Sequence, residues 1–301
     1  SPGRAAIDVA LAALAAPRRD WAGLSLDRPR LMGIVNVTPD SFSDGGDFVD
    51  PDRAVEHGRA LVAAGADIVD VGGESTRPGA APVSAEEEQR RVVPVVRRLA
   101  ADGIIVSIDT RRAAVMEAAL AAGARIVNDV SALAGDRGSL AVAAAGGAAV
   151  VLMHMAGEPR TMQRDPHYDD VILEVFDFLE RRVAACVAAG IPPERISVDP
   201  GIGFGKRDEH NLALLARLAL FHGTGCAVLV GASRKSFIGR LGGGAGPRER
   251  LGGSLAVALA AVGQGVQVLR VHDVAETRQA LLLRAAVAGA PFSWASAPGP
   301  C

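Results

Sequence analysis

The stretch LMGIVNVTPDSFSDGG, from Leu31 to Gly46, shows how this chain is organised. Its apolar half is too short for a helix and ends at Asn36, so it predicts a buried strand that stops at a polar residue. Seven later apolar runs end in the same way, at DVGGESTRPG (70–79), SIDT (107–110), ND (128–129), MH (153–154), DPGIGFGK (199–206), GASRKSF (231–237) and RVH (270–272). Polar groups gathered at one end of many strands predict an active site at that end.

The runs that predict strands alternate with longer runs of helical periodicity, which is the pattern of repeated βα units. We expect strands near residues 31–36, 67–72, 104–109, 125–128, 149–153, 196–199, 227–231 and 267–271. We expect helices near residues 51–64, 84–101, 111–122, 138–145, 167–189, 208–217, 250–263 and 273–288. In a chain of 301 residues this alternation favours an α/β fold of the (β/α)8 TIM barrel type over an open sheet. Active sites of that fold lie at the carboxyl ends of the strands.

The chain is expected to form a single domain with two flanking segments. Residues 1–30 are predicted to form an N-terminal extension that closes the barrel floor. Residues 31–290 are predicted to form the catalytic barrel, and residues 291–301 a C-terminal tail. The helical run 251–262 is apolar on more faces than one contact with the barrel requires, which predicts a homodimer. Simple packing of that run against the barrel is the alternative interpretation.

Composition and charge exclude several classes of protein. Apolar residues make up 49% of the chain, and the net charge is −2 without long basic runs. Neither nucleic acid nor an anionic membrane is therefore expected as a partner. The three cysteines are widely spaced without a metal-binding pattern, and neither a secretory leader nor a membrane-spanning run is visible. A reducing cytoplasm is the predicted location.

Two carboxylates, Asp109 and Asp199, directly follow apolar strands and are predicted to lie at the barrel mouth. Each could merely cap the helix or turn that comes next. A buried carboxylate can also pair with adjacent N–H donors of a heterocycle through two hydrogen bonds. The second interpretation favours a ligand that resembles a guanidine or a pterin.

Cationic residues follow the last two predicted strands. Lys235 lies in the run SRKSF after the seventh strand, and Arg270 and His272 share one face of the eighth. The loops after these two strands usually bind phosphate in this barrel. Asn36 could be a satisfied strand-end amide. Beside a diphosphate it could also be the lone protein ligand of a Mg²⁺ ion that keeps most of its waters.

Six motifs together resemble the dihydropteroate synthase family over nearly all of residues 31 to 288: NVTPDSFSDGG, DVGGESTRPGA, SIDT, VDPGIGFGK, SRKSF and RVHDV. The resemblance implies a (β/α)8 barrel that joins 6-hydroxymethyl-7,8-dihydropterin diphosphate to p-aminobenzoate and releases diphosphate with the assistance of Mg²⁺. It also implies that sulfonamides, which mimic p-aminobenzoate, target the enzyme.

The same resemblance assigns residues to three parts of the site. The pterin is implied to bind Asp109, Asn128, Asp199 and Lys235, with Met153, Phe204 and Gly231 near its ring. The diphosphate is implied to bind Asn36, Arg77, Arg270 and His272, with Asn36 as the metal ligand. The p-aminobenzoate pocket is implied to contain Thr38, Pro39, Phe42, Ser75, Thr76, Arg77, Pro78 and Ser236. The residues implied in catalysis are Asp109, Asp199, Lys235, Arg270 and His272.

Two other functions remain open at this point. A methyltransferase that moves a methyl group from methyltetrahydrofolate to a corrinoid would share the pterin carboxylates, but it has no use for a diphosphate cradle of Arg270 and His272. A silent paralogue that only binds pterin would be expected to have lost residues of the first two loops. This chain has TPDSFSDGG and STRPG in those loops.

Overall fold

The computed structural model describes residues 11–18, 20–38, 50–75, 83–157 and 161–289. A short antiparallel hairpin, β1 (Asp20–Trp21) and β2 (Leu24–Ser25), precedes a closed barrel of parallel strands. The barrel strands are β3 (Arg30–Asn36), β4 (Ile68–Gly72), β5 (Val106–Asp109), β6 (Ile126–Asp129), β7 (Ala149–Met153), β8 (Ile196–Asp199), β9 (Ala227–Val230) and β10 (Val268–Val271). They follow one another around the barrel in chain order, and β10 pairs with β3 to close it. The predicted (β/α)8 TIM barrel is therefore confirmed.

Helices follow the strands on the outside of the barrel. They are α1 (Pro51–Ala64), α2 (Ala85–Ala101), α3 (Ala113–Ala121), α4 (Ser139–Ala145), α5 (Val171–Ala188), α6 (Asp208–Leu215), α7 (Ser236–Leu241), α8 (Leu251–Gly263) and α9 (Val274–Val287). Residues 11–15 are also helical, and 3₁₀ turns cover Pro193–Arg195, Leu218–Thr224 and Pro247–Glu249. Within the described ranges, no helix is both long enough and apolar enough to cross a bilayer.

Two helices differ from the sequence prediction. The helix expected over 167–189 begins only at Val171, because the Asp170 carboxylate accepts hydrogen bonds from the N–H groups of Ile172 and Leu173 and so caps the first turn. The other, α7, is absent from the prediction. Its six residues are too few to show a helical period.

Alternate residues of each strand face the inside of the barrel, because side chains of a strand point to opposite faces in turn. Val69 and Val71 of β4 pack outwards in the main core, whereas Ile68 belongs to an inner cluster. The inner cluster consists of Trp21, Met32, Ile68, Ile126, Ala149, Val151, Ala227, Leu229 and Val268. Nearer the carboxyl ends of the strands, several of these positions carry polar side chains: Asp70, Asp109, Asn128, Asp199 and Arg270. This division places a group of charged and amide side chains towards the mouth.

The hairpin before the barrel is tied to its amino-terminal end. Trp21 is buried among the inner cluster, and its Nε1 donates to the carbonyl oxygen of Arg195 at 3.3 Å. The Asp67 carboxylate pairs with Arg28 at 2.5 Å and with Arg30 at 3.2 Å. The same carboxylate accepts a hydrogen bond from the N–H of Leu31 at 2.9 Å. These contacts fix the segment that leads into β3.

Candidate active site

A cavity of about 1060 Å³ opens at the carboxyl ends of the strands. The predicted site residues that line it are Asn36, Thr38, Ser75, Asp109, Phe204, Gly231, Lys235, Ser236, Arg270 and His272. Three further predicted residues, Asn128, Met153 and Asp199, are buried on β6, β7 and β8 in the barrel wall. The predictions for Pro39, Phe42, Thr76, Arg77 and Pro78 fall outside the described residues.

Arg270 is the centre of a charge cluster in which Asp70 is fully buried and Arg270 and Asp109 are partly exposed. Its Nε donates to Oδ2 of Asp70 at 2.6 Å, and its Nη2 donates to Oδ2 of Asp109 at 2.7 Å. Burial raises the pKa of Asp109 to about 7, although the positive charge of Arg270 opposes that shift. Burial also disfavours the charged form of Arg270, but Asp70 and Asp109 outweigh it and raise the pKa of the guanidinium. One guanidinium is thus held between two carboxylates.

Asp199 ends β8 and enters a turn that requires glycine. Its Oδ1 accepts a hydrogen bond from the N–H of Gly201 at 2.7 Å, and its carbonyl accepts one from the N–H of His154 at 3.0 Å. Burial raises the pKa of Asp199 above its usual value. Gly201 has φ of +70°, and a Cβ there would lie 1.9 Å from the carbonyl oxygen of His154. The close approach of two loops therefore sets the position of this carboxylate.

Lys235 lies over an aromatic ring inside the cavity. Its Nζ is 3.8 Å from the centroid of the Phe204 ring, an arrangement that stabilises the cation through the ring quadrupole. Burial nevertheless lowers the pKa of Lys235 to about 8, and the charge of Arg270 adds to that shift. The lysine is therefore still mostly protonated near neutral pH.

His272 is held as a neutral ring beside the cations. Its Nδ1 lies 3.1 Å from Oγ of Ser233, and its backbone N–H donates to the same oxygen at 3.2 Å. Burial, together with Arg270 and Arg234, lowers the pKa of His272 to about 4. Arg234 itself pairs with Asp273, with Nε 3.0 Å from Oδ2. His272 thus supplies a hydrogen-bonding group and not a charge near pH 7.

Sequence reasoning missed Asp70 as a site residue. The residue is fully buried on β4, and both Arg270 and Asn128 donate to its Oδ2, the latter from Nδ2 at 3.2 Å. A signal was available, because Asp70 interrupts an apolar strand at a position that alternation turns inwards.

Sequence reasoning also missed Lys206. Its Nζ lies 2.9 Å from Nδ1 of His154 and donates to the carbonyl of Phe204 at 3.0 Å, so it secures the loop that carries the ring under Lys235. Burial lowers the pKa of Lys206 to about 7 and that of His154 to about 3. The composition could have indicated a role for Lys206, since Lys206 and Lys235 are the two lysines of the whole chain.

Taken together, the cavity offers two kinds of recognition. The carboxylates of Asp109 on β5 and Asp199 on β8 can accept paired N–H donors from a heterocycle. On the side formed by β9 and β10, Lys235, Arg270 and the neutral His272 can bind an anion. A ligand with a donor-rich ring at one end and phosphate at the other matches this division.

A family model described as pterin binding enzyme matches residues 32–272, which defines the class of enzyme that this barrel and cavity represent. The dihydropteroate synthase of Escherichia coli (strain K12) is 51% identical over 259 residues, covering 86% of this chain and 91% of that protein. The Yersinia pestis dihydropteroate synthase solved as a sulfonamide drug complex has a TM-score of 0.84 at 47% identity, covering 89% of this chain and 97% of its own. The Xanthomonas albilineans dihydropteroate synthase solved in complex with 7,8-dihydropteroate has a TM-score of 0.81 at 48% identity, with the same two coverages. The chain therefore belongs to the dihydropteroate synthase family of pterin-binding transferases, and the resemblance seen in its motifs is confirmed.

Proposed function

We propose that this chain condenses 6-hydroxymethyl-7,8-dihydropterin diphosphate with p-aminobenzoate to give 7,8-dihydropteroate and diphosphate. The observation that carries the proposal is the placement of Asp109, Lys235 and Arg270 in one cavity at the barrel mouth, with Asp199 buried in its wall. The substrate has the same division, because its ring carries N–H donors and its other end is an anion. The product complex of the Xanthomonas albilineans relative supports this assignment.

The pterin is proposed to bind the inward-facing polar residues of the barrel. Asp109, Asn128, Asp199 and Lys235 contact its polar edge, and Met153 and Phe204 pack near its ring. Gly231 leaves the space that the ring needs, because a Cβ there would lie 3.7 Å from Cβ of Arg270 and 3.8 Å from Oδ2 of Asp199. A larger residue would occupy the gap between the acidic and the basic side of the site.

The diphosphate is proposed to bind Asn36, Arg270 and His272, and the resemblance adds Arg77. No group of three His, Cys, Asp or Glu side chains among the described residues could hold a metal ion. The single amide oxygen of Asn36 suits a Mg²⁺ ion that keeps most of its waters. When bound, Mg²⁺ would neutralise charge on the departing diphosphate. Arg270 shares that role from the protein side.

The reaction breaks the bond between the pterin methylene and the diphosphate oxygen, and the electron pair leaves with the oxygen. The positive character left on the methylene spreads into the pterin, where Asp109 and Asp199 stabilise it electrostatically. The nitrogen of p-aminobenzoate then attacks the methylene and gives up a proton to solvent. This amine is neutral at pH 7, so no strong general base is required. Lys235 holds the pterin edge through both stages.

The p-aminobenzoate pocket is proposed to lie at the outer part of the same cavity. Thr38, Ser75 and Ser236 line that cavity. The resemblance adds Pro39, Phe42, Thr76, Arg77 and Pro78 from the loops after β3 and β4. Sulfonamides are proposed to occupy this pocket, as the sulfonamide complex of the Yersinia pestis relative suggests.

Release of diphosphate by the purified chain is expected only when pterin diphosphate, p-aminobenzoate and Mg²⁺ are all present. Chelation by EDTA is expected to abolish turnover, and added Mg²⁺ to restore it. Asn36→Ala should raise the Mg²⁺ concentration needed for half-maximal rate by about 10-fold or more, because the protein would lose its proposed ligand. A coupled diphosphate assay, with 7,8-dihydropteroate identified by mass spectrometry, measures these effects. No turnover with all components present would favour the silent paralogue.

A homodimer is proposed, formed through the outer faces of α8 and α9, which pack side by side. Leu283 and Val287 lie one turn apart on α9 and are 65% and 83% exposed, so together they present an apolar face beside α8 for a partner to cover. Light scattering is expected to give a dimer mass for the wild type and a monomer mass for Leu283→Glu/Val287→Glu. The matched control is Leu173→Glu on α5, 60% exposed, which should stay dimeric. A monomeric wild type at micromolar concentration would contradict the proposal.

Two further assignments are proposed on more local grounds. The N-terminal extension, predicted over residues 1–30, is proposed to close the floor of the barrel domain predicted over residues 31–290, and the burial of Trp21 in the inner cluster supports this. Residues 1–10 and the predicted tail 291–301 lie outside the described residues. A cytoplasmic location is proposed because Cys186 and Cys226 are free thiols in the protein interior.

A further inference from the structure

Asp70 has an unusual set of partners for a buried carboxylate. Oδ2 accepts hydrogen bonds from Nε of Arg270 and from Nδ2 of Asn128, whereas Oδ1 has no hydrogen-bond partner among the described residues. The residue is fully buried on β4 and is not among the described residues that line the cavity. Its two hydrogen-bond partners, Arg270 and Asn128, are both proposed to contact the substrate, although Asp70 itself is set back from the cavity.

We propose that Asp70 is the positioning residue for Arg270: it fixes the Nε edge of the guanidinium and so directs Nη1 towards the diphosphate, while Nη2 is bonded to Asp109. The inference rests on the proposed function, in which Arg270 binds diphosphate. Asn128 contributes by holding Oδ2 of Asp70 in place at 3.2 Å. Asp70 therefore acts on the substrate only through the arginine.

The geometry explains why a second carboxylate is needed below Asp109. An arginine side chain has several free torsions, and a hydrogen bond to Nε fixes both the plane and the direction of the guanidinium. Asp109 holds the other edge through Nη2, but it is itself a proposed ligand of the pterin. Once the pterin engages Asp109, Asp70 remains as the anchor that the substrate does not contact.

The strand register leaves room for this contact. Asp70 lies two residues before Gly72, and Gly72 is the residue that pairs with Asp109 on β5. This register places the two carboxylates on neighbouring strands. Arg270 reaches both of them from β10, at 2.6 Å and 2.7 Å.

A double-mutant cycle tests the inference. Asp70→Asn is expected to lower kcat/KM for pterin diphosphate by about 10- to 100-fold, while KM for p-aminobenzoate stays unchanged, because a displaced guanidinium loses contact with the leaving group. In an Arg270→Gln background the same change should alter kcat/KM by less than about two-fold, since no guanidinium is left to position. Equal effects in both backgrounds, or wild-type kinetics in Asp70→Asn, would overturn the proposal.

Asp129→Asn is the matched control. Asp129 is also a fully buried carboxylate at the end of a strand, but it accepts from Ser131 and Leu133 and does not contact the cavity. Its substitution is expected to change stability and to affect kcat/KM equally in the wild-type and Arg270→Gln backgrounds. That additivity separates a general loss of packing from the positioning of one side chain.

Calorimetry with inorganic diphosphate separates this inference from the proposed function. If the wild type binds diphosphate but turns nothing over, the proposed activity fails. Asp70→Asn should even then weaken diphosphate binding about 10-fold. Added to Arg270→Gln, the same substitution should leave the affinity for diphosphate unchanged. Unchanged or tighter binding in Asp70→Asn overturns the positioning role. If Asp70→Asn does not fold alone, Asp70→Asn/Arg270→Gln should fold, because a neutral amide pair replaces the ion pair, and should bind as Arg270→Gln does. A double variant that fails to fold also overturns the proposal.

Discussion

Gly201→Ala is expected to cost about 3–5 kcal/mol of folding free energy and to abolish pterin binding. The position has φ of +70°, which disfavours any side chain, and the new Cβ would lie 1.9 Å from the carbonyl oxygen of His154. The backbone of the two loops would have to separate. The N–H of Gly201, which donates to Oδ1 of Asp199 at 2.7 Å, would move with them. Urea unfolding and calorimetric titration with a pterin measure the two losses.

Gly190→Ala is the control for backbone strain alone. Gly190 has φ of +90°, but nothing lies within 4 Å of a Cβ at that position. Its substitution should cost only about 1–2 kcal/mol and leave pterin binding intact. Equal stability losses at Gly190 and Gly201 would show that the contact between the loop after β7 and the loop after β8 does not set the position of Asp199.

Lys235→Ala is expected to lower kcat/KM for pterin diphosphate by an amount equivalent to about 2–4 kcal/mol. The cation lies 3.8 Å above the Phe204 ring and near Asp109 and Asp199, so its loss removes a positive charge that stabilises both carboxylates. Steady-state kinetics with saturating p-aminobenzoate measure the effect. Arg240→Ala is the control, because its exposed guanidinium lines the same cavity but pairs with Asp208. It should change kcat/KM by less than about two-fold, because Arg240 is engaged in an exposed ion pair that contributes little even to stability.

The value of kcat/KM for pterin diphosphate is also expected to depend on pH. Asp109 has a pKa of about 7 and must lose its proton to act as an anion, so kcat/KM should rise through that range. Lys235 has a pKa of about 8 and must keep its proton, so kcat/KM should fall above it. In Lys235→Arg the cation does not titrate in this range, and the fall at high pH should disappear. A descending limb that survives in Lys235→Arg would assign it to another group, such as Lys206.

Much of the fold and of the site was predictable, because the signals involved are local. Each strand is a short apolar run that ends at a polar residue or a glycine-rich turn, and this residue marks the end of the strand that lies at the active site. The inward direction of Asp109, Asp199 and Arg270 follows from the two-residue period of a strand. Their gathering in one cavity then follows from the closure of parallel strands into a barrel.

The contacts between those residues were not predictable in the same way. Arg270 and Asp70 are 200 residues apart in the chain, and they meet only because β10 closes the barrel against β3, which in turn pairs with β4. Lys206 was overlooked for a related reason, since its partner His154 belongs to the preceding βα unit. Such pairs depend on the order of the strands and on the length and direction of the side chains. Neither can be predicted from the residues that flank one partner in the chain.

By itself, the sequence determined the barrel, the end of it that carries the site, and the residue types available there, because periodicity and strand-end polarity depend only on neighbouring residues. The tertiary structure decided the protonation states of the site residues and the contacts that hold them in place, such as that of Asp70 with Arg270. Burial keeps His272 neutral with a pKa of about 4 and brings Lys235 to about 8, and these shifts depend on how much water and which charges surround each group. Residues distant in the chain supply that environment, so it exists only once the barrel has closed.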